Sequence, residues 1–344
     1  MTFEAFQATV LNDIRNYLPE EYGGAEILLN ETQKLNQTYP ALVIKREEHS
    51  IAPSIDLTRF YERAEQGQDM SEILSEIAEI AQIEPEGLNP DRFTDYSEAK
   101  NMLFIRVSNC EANKEYLKNI PHKEISGLAV TCHVLVSIDD SSTGSLAVTN
   151  DLMKQYGVSF DKLYQDAVEN SQKLFPPKVL PITAMIMGMS GFEMGMESEV
   201  PDSFSRQVQD IDLERDGMAV ITNQTSVNGA AVIFYPDVLK TIGDHVEENY
   251  YILPSSIHEV IVVADNKETQ LSFLEAMVKE VNHGQVAPKD RLSDTVFHYD
   301  YKEHLFERAA DYESRINDKE KQETNKDSGH GSKAQRQKER EWER

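Results

Sequence analysis

The chain has 344 residues, of which 34 are Lys or Arg and 60 are Asp or Glu, a formal net charge of −26. Hydrophobic residues make up 40% and charged residues 27%, so collagen-like, fully disordered and disulfide-dense proteins are excluded. So acidic a chain repels phosphate backbones and anionic lipid heads, and we expect its body to bind neither nucleic acid nor membranes. The length predicts two domains.

The sequence also predicts the compartment. Two cysteines, Cys110 and Cys132, are too few for a Cys-rich zinc site or a disulfide framework. The first residues lack the basic and apolar regions of a signal peptide, and no run approaches the ~20 apolar residues of a membrane helix. We therefore expect a reduced, cytoplasmic protein.

Residues 1–95 are predicted to form a small α+β subdomain. Its first elements are a helix over 3–18 and strands over 26–31, 41–45 and 54–57. Asp69 and Glu72 are typical of a capping pair, and the apolar residues that follow predict a helix. Residues 84–96 contain prolines and glycine without periodicity and indicate a domain boundary.

Residues 96–316 are predicted to form a larger α+β subdomain. The predicted strands lie over 102–107, 128–138, 145–148, 179–187, 218–222, 230–235, 250–253, 259–264 and 295–299. Helices are predicted after Asn150 and Ser159, and over 238–246, 271–281 and 305–316. Asn228-Gly229 is typical of a tight hairpin turn and would join the strands on either side of it.

These elements predict an α+β fold rather than a doubly wound parallel sheet, because regular βαβ alternation is absent. We expect mixed, largely antiparallel sheets with flanking helices, in two packed subdomains. Residues 188–217 form a long insertion, and residues 317–344 form a charged tail that is predicted to be disordered.

Four stretches carry a family resemblance: residues 55–57 with the helices after them, 146–171, 218–237 and 250–263. In these stretches the chain resembles an uncharacterised bacterial domain-of-unknown-function family over about residues 1–310, and it is distantly similar to the YtpQ-like family. The resemblance implies a bacterial cytoplasmic protein. Neither family has a known catalytic motif, so no functional residue is transferred.

One short segment combines residues that could be catalytic: Ser255, Ser256, His258 and Glu259. A serine beside a histidine could serve as nucleophile and base, but such sites need an orienting acid and an oxyanion hole from other segments. Ser256 and Glu259 also have the spacing of a capping box for one helical turn. We favour this structural role over a catalytic one.

Other motifs are incomplete. Gly188–Phe192 lacks the last glycine of a nucleophile elbow, and no phosphate-binding glycine loop occurs. The five methionines of Met185–Met196 could form an adaptable binding surface or part of the core. We therefore predict no cofactor and no metal.

Without a catalytic signature, the sequence favours a non-enzymatic protein that binds another protein. Together with the acidic body, the methionine-containing insertion and the charged tail, this favours an accessory factor of a mobile element or a stress pathway, and the mobile-element part is what the family resemblance suggests. The alternative is a hydrolase or transferase whose site is assembled from scattered residues. A weaker alternative is an acidic DNA mimic, since the net charge could imitate a phosphate backbone.

Overall fold

The computed structural model describes residues 1–46, 52–82, 91–138, 143–189, 203–266, 269–319 and 321. Every strand pair among these residues is antiparallel, and helices flank the sheets, which confirms the predicted α+β class. The chain divides into two compact units, Met1–Phe93 and Thr94–Arg344. None of the described helices is long and apolar enough to cross a membrane.

The first unit contains a three-stranded sheet. Its order is β1 (Glu26–Lys34), β2 (Gln37–Lys45), β3 (Ser54–Asp56). Its helices are α1 (Phe3–Asp13), α2 (Leu57–Glu65), α3 (Met70–Ala81) and α4 (Asp91–Thr94), the last of which crosses the boundary between the units. The Asp69 carboxylate accepts the Ser71 N–H at 2.7 Å and caps α3, as the sequence predicts. Phe6, Leu42 and Ile73 are fully buried in one core.

The second unit begins with a four-stranded sheet. Its strands are β4 (Leu103–Asn109), β5 (His122–Ile125), β6 (Leu128–Ile138) and β7 (Thr143–Ala147). The long β6 pairs with β4 on one side and with both β5 and β7 on the other. Its helices are α5 (Tyr96–Ala99), α6 (Lys114–Leu117), α7 (Asn150–Tyr156) and α8 (Phe160–Leu174). Ser159 caps α8, and the Ser171 hydroxyl of α8 accepts the Ile105 N–H of β4 at 2.9 Å.

A six-stranded sheet forms the rest of this unit. Its strands are β8 (Pro177–Pro181), β9 (Met218–Asn223), β10 (Tyr250–Pro254), β11 (Val260–Ala264), β12 (Phe297–Asp300) and β13 (Leu305–Arg308). They are ordered β13-β12-β10-β11-β9-β8. Its helices are α9 (Ile182–Met189), α10 (Phe204–Gln209), α11 (Leu213–Asp216), α12 (Val238–Val246), α13 (Leu271–Gly284) and α14 over residues 309–319. Short 3-10 helices occupy Ile14–Tyr17, Glu20–Tyr22, Lys100–Met102, Gly229–Phe234 and Pro288–Asp290.

Two predicted strands are wrong or too long. The strand predicted over 179–187 ends at Pro181, and the chain continues as α9. Proline has no N–H for the ladder, and the Ala and Met residues that follow are good helix formers. Residues 230–235 form no hairpin with β9 but a 3-10 helix, because β9 already pairs with β8 and β11 and has no free edge.

The helix predicted over 305–316 is correct only in its second half. Leu305–Arg308 pairs with β12 as strand β13, and α14 follows directly. The tail is predicted to be disordered over 317–344, but residues 317–319 belong to α14. Residues 320 and 322–344 lie outside the described residues, as do residues 190–202 of the predicted insertion.

Candidate functional site

The turn that the sequence singled out connects β10 to β11. Ser256 and Glu259 are hydrogen-bonded there: the serine hydroxyl donates to Glu259 Oε1 at 2.8 Å and accepts the His258 N–H at 2.9 Å. The Ser256 N–H donates to the Glu259 carbonyl at 3.2 Å. Residues 255–259 are nevertheless not helical, so the predicted helical capping box is in fact the closure of a strand-to-strand turn. Ser255 is half-buried in the same turn.

The imidazole of His258 is directed at groups other than the serine. Its Nδ1 accepts the Asn228 N–H at 3.2 Å, and its Nε2 lies 3.5 Å from Asp290 Oδ1. Its carbonyl accepts a hydrogen bond from the Thr222 hydroxyl at 2.8 Å. Both ring nitrogens thus have partners that tie the turn to neighbouring segments. The catalytic roles of Ser255, Ser256, His258 and Glu259 stay predictions.

A second polar group lies on one face of the β4–β6 sheet. Side chains alternate between faces along a strand, so Arg106 and Ser108 share a face of β4. Across the ladder Arg106 lies opposite Thr131, and His133 follows two residues later on β6. The Thr131 hydroxyl lies 3.1 Å from His133 Nε2, which places both side chains on that face. We call these four residues the Arg106 cluster.

The cluster contains unused hydrogen-bonding capacity. Arg106 Nε, Ser108 Oγ and His133 Nδ1 are buried and have no hydrogen-bond partner among the described residues. Ser108 is 0% and His133 3% exposed. Buried polar groups in folded proteins almost always have partners. Five unpartnered buried side-chain atoms occur in the described part of the chain, and three of them lie in this cluster.

Arg106 is the only cation of the cluster, and no described carboxylate forms an ion pair with it. Burial lowers the pKa of its guanidinium, and the nearby Tyr116 phenol of α6 partly opposes that shift. Burial also raises the pKa of Tyr116, so the phenol is neutral and cannot compensate the charge. The cluster therefore has a net positive charge on a half-buried arginine beside the buried Ser108 and His133.

His133 is held neutral beside it. Burial, and then the positive charge of Arg106, lower the pKa of His133 well below its ordinary value of 6.5. The Thr131 hydroxyl can donate to His133 Nε2 or accept from it. The imidazole can therefore carry its hydrogen on Nδ1, as a donor toward the cluster, or present a lone pair there.

This arrangement suits an oxyanion. An arginine N–H is only a donor, whereas a serine hydroxyl and a neutral imidazole can donate as well. Carboxylate and phosphate oxygens accept charge-assisted hydrogen bonds from such groups. Along the sheet Arg106 lies between Ser108 and His133, so a ligand with one anionic group at Arg106 could reach a second polar contact on either side.

The sequence alone does not reveal this cluster. Residues 102–107 and 128–138 are predicted only as strands, with no site on either of them. The signal in the sequence is the alternation of polar and apolar residues. Arg106 and Ser108 are two residues apart on β4, and Thr131 and His133 are two residues apart on β6. The pairing of the two strands, which joins the four residues, is not readable from either strand alone.

Two further sequence candidates fall largely outside the described residues. Met185, Met187 and Met189 belong to α9, whereas Met194 and Met196 lie outside it and outside the described part of the chain. Ser190, Gly191 and Phe192 of the incomplete nucleophile elbow also lie outside the described residues. Among the described residues, no group of three His, Cys, Asp or Glu side chains is arranged to hold a metal ion.

Comparison with the curated proteins gives no match, and comparison with the solved structures gives none either. The distant similarity to the YtpQ-like family is not confirmed. The family of unknown function DUF5688 matches residues 3–301, which include both the Ser255–Glu259 turn and the Arg106 cluster. The chain belongs to this family, as its resemblance to a domain of unknown function predicted.

Proposed function

We propose that this protein binds a small anionic ligand, a carboxylate or a phosphate ester, at the Arg106 cluster. The observation that carries this proposal is the half-buried Arg106, whose Nε is buried without a hydrogen-bond partner and whose charge has no carboxylate partner among the described residues. Transfer of an ion from water into protein costs several kcal/mol unless an opposite charge and hydrogen bonds compensate it. A bound anion would supply both, since Arg106 Nε and Ser108 Oγ are available as donors, and so is His133 Nδ1 when the imidazole hydrogen is on that atom.

Binding is tested with two simple probes, inorganic phosphate and acetate. Each is titrated against the full chain while thermal unfolding is followed, with sodium chloride at matched ionic strength as the reference. A ligand at a hundred times its Kd stabilises the folded state by about 2.7 kcal/mol. We expect at least one probe to raise the unfolding temperature beyond the chloride reference.

The variant Arg106→Met assigns the effect to the cluster. It keeps most of the apolar stem but removes the cation, so the stabilisation by phosphate or acetate should disappear. Without added anion the variant should be as stable as the wild type or more so, because a half-buried charge without an ion-pair partner has been removed. Arg59→Met, at an exposed arginine of α2, is the matched control and should respond like the wild type. Equal responses of wild type and Arg106→Met would contradict the proposal.

Binding of another protein is a second candidate function. The observation that favours it is the outer edge of β1, which is exposed along most of its length. A free strand edge is a common docking site for a further strand. An accessory role, association with a mobile element, a cytoplasmic location, the hydrolase or transferase alternative and DNA mimicry all stay predictions from the sequence.

A further inference from the structure

The first strand of the chain has a long free edge. β1 is the outermost strand of its sheet and spans nine residues, Glu26–Lys34. Its inner edge pairs with β2 along its whole length. In the described part of the chain no backbone hydrogen bond reaches its outer edge. Seven of its nine residues are exposed, and Leu28 and Leu29 are each 36% exposed.

The geometry of antiparallel pairing limits how a second β1 could occupy this edge. The N–H and C=O groups of alternate residues point outward, and two strands pair only where outward-pointing residues face each other. Two copies related by a twofold axis meet this condition when the axis passes through a residue. Only an axis at Asn30 pairs all nine residues, because Asn30 is the centre of Glu26–Lys34.

The sequence of β1 is complementary to itself in this register. Glu26 of one copy lies opposite Lys34 of the other, and the symmetry repeats this opposite-charge pair at both ends. The two Leu29 side chains become diagonal neighbours about 7 Å apart, within contact distance for side chains of this size. Pairing would therefore cover an exposed leucine and align Glu26 with Lys34 at both ends, whereas the two Glu31 side chains become diagonal neighbours of like charge.

From this we infer that two copies of the chain associate through antiparallel pairing of their β1 strands about a twofold axis at Asn30, forming one continuous six-stranded sheet. The inference is independent of the proposed anion site, which lies in the other unit. Failure of one leaves the other untouched, because association and anion binding are measured separately.

The first test is association in solution. Sedimentation of the full chain over a wide range of concentrations should show a monomer–dimer equilibrium. A chain that is monomeric throughout would overturn the inference, and the edge would then be left for a strand of a different protein. Higher oligomers without a dimer would also overturn it, since a twofold interface closes after two copies.

Charge exchange tests the register. Glu26→Lys or Lys34→Glu alone replaces both opposite-charge pairs by like-charge pairs, and each should weaken the dimer roughly tenfold or more. The double variant Glu26→Lys/Lys34→Glu recreates the pairs with signs exchanged and should recover most of the affinity. Glu31→Lys is the control: it makes the same charge change opposite Leu29 and exchanges one like-charge diagonal pair for another, so it should have little effect. A double variant as weak as the singles would overturn the register.

A cysteine at the axis provides a direct marker. In Asn30→Cys the two new residues would lie opposite each other with Cα atoms about 4.5–5.5 Å apart, within reach of a disulfide. In Gln33→Cys, also at an exposed position, the two cysteines would be roughly 20 Å apart. Mild oxidation should therefore crosslink Asn30→Cys and neither Gln33→Cys nor the wild type with its Cys110. Equal crosslinking of the two variants would overturn the inference.

Discussion

At the scale of single residues, His133 should make stability depend on pH. Its pKa in the folded chain lies well below 6.5, because burial and Arg106 disfavour the charged imidazole. The unfolded chain regains a pKa near 6.5 and binds a proton below that pH, whereas the folded chain does not. The free energy of unfolding should therefore fall as the pH is lowered from 7 to 5, by up to about 1.4 kcal/mol per pH unit from this residue.

Urea unfolding of His133→Gln at several pH values checks this. The variant cannot titrate in this range, so its stability should fall less steeply than that of the wild type between pH 7 and 5. His283→Gln serves as the control, since the His283 side chain is 61% exposed. If His133→Gln and His283→Gln have the same slope, His133 is not held neutral in the folded chain.

Some hydrogen-bond partners at the two sites are predictable from the sequence, and others are not. Ser256 and Glu259 are three residues apart, and their hydrogen bond follows from local spacing. The ring of His258 instead meets Asn228 and Asp290, which are distant along the chain. Arg106 and Thr131 are brought together by the β4–β6 register. A local sequence pattern therefore predicts a hydrogen-bond partner that is close in sequence. It does not predict a partner that strand pairing or a distant segment brings near.

At the scale of elements, Gly229 should be essential to the 3-10 helix Gly229–Phe234, which the structure has where the sequence predicts the second strand of a hairpin. A Cβ placed there would collide with Thr222 Oγ1 and lie 2.5 Å from the His258 carbonyl oxygen and 2.7 Å from the Asn223 nitrogen. Two of these atoms are backbone and cannot rotate away. Gly229→Ala should therefore destabilise the chain by about 1–3 kcal/mol, as overpacking typically does.

The change is read from the urea midpoint, with Gly284→Ala as the comparison. Gly284 is the last residue of α13, and a Cβ there meets nothing within 4 Å. The alanine at this helical position should be neutral or slightly stabilising. A Gly229→Ala midpoint equal to that of Gly284→Ala would show that the 3-10 helix can move away from β9.

Elements with local start signals were predicted well, and those set by long-range pairing were not. α3 and α8 begin after Asp69 and Ser159, whose side chains accept helix N–H groups. Residues 230–235 have the β-branched pattern of a strand, yet both edges of β9 are taken by strands from elsewhere. The β propensity of residues 230–235 is overridden because the completed sheet has no free edge beside β9 with which they could pair.

At the scale of the whole molecule, the residues that match the family, 3–301, do not contain the whole of the second unit. We call residues 3–301 the family region. The match ends at residue 301, whereas β13 and α14 follow and complete the six-stranded sheet. Phe306 of β13 stacks on Phe297 of β12 with ring centroids 5.1 Å apart. Tyr312 of α14 stacks on the buried His298 at 3.5 Å and accepts a hydrogen bond from Asn249 at 3.1 Å.

Truncation after Tyr301 should therefore destabilise the second unit although it leaves the matched residues 3–301 intact. It would uncover Phe297 and His298, which are 1% and 0% exposed, and remove Ala309 from the core. It would also delete Arg315, which bridges Asp300 and Glu307. Loss of buried side chains on this scale costs about 3–5 kcal/mol. A chain ending after Lys321 retains all these contacts and is the control. If both truncated chains unfold at the same urea concentration, β13 and α14 contribute nothing to stability, and the family region is a complete folding unit without them.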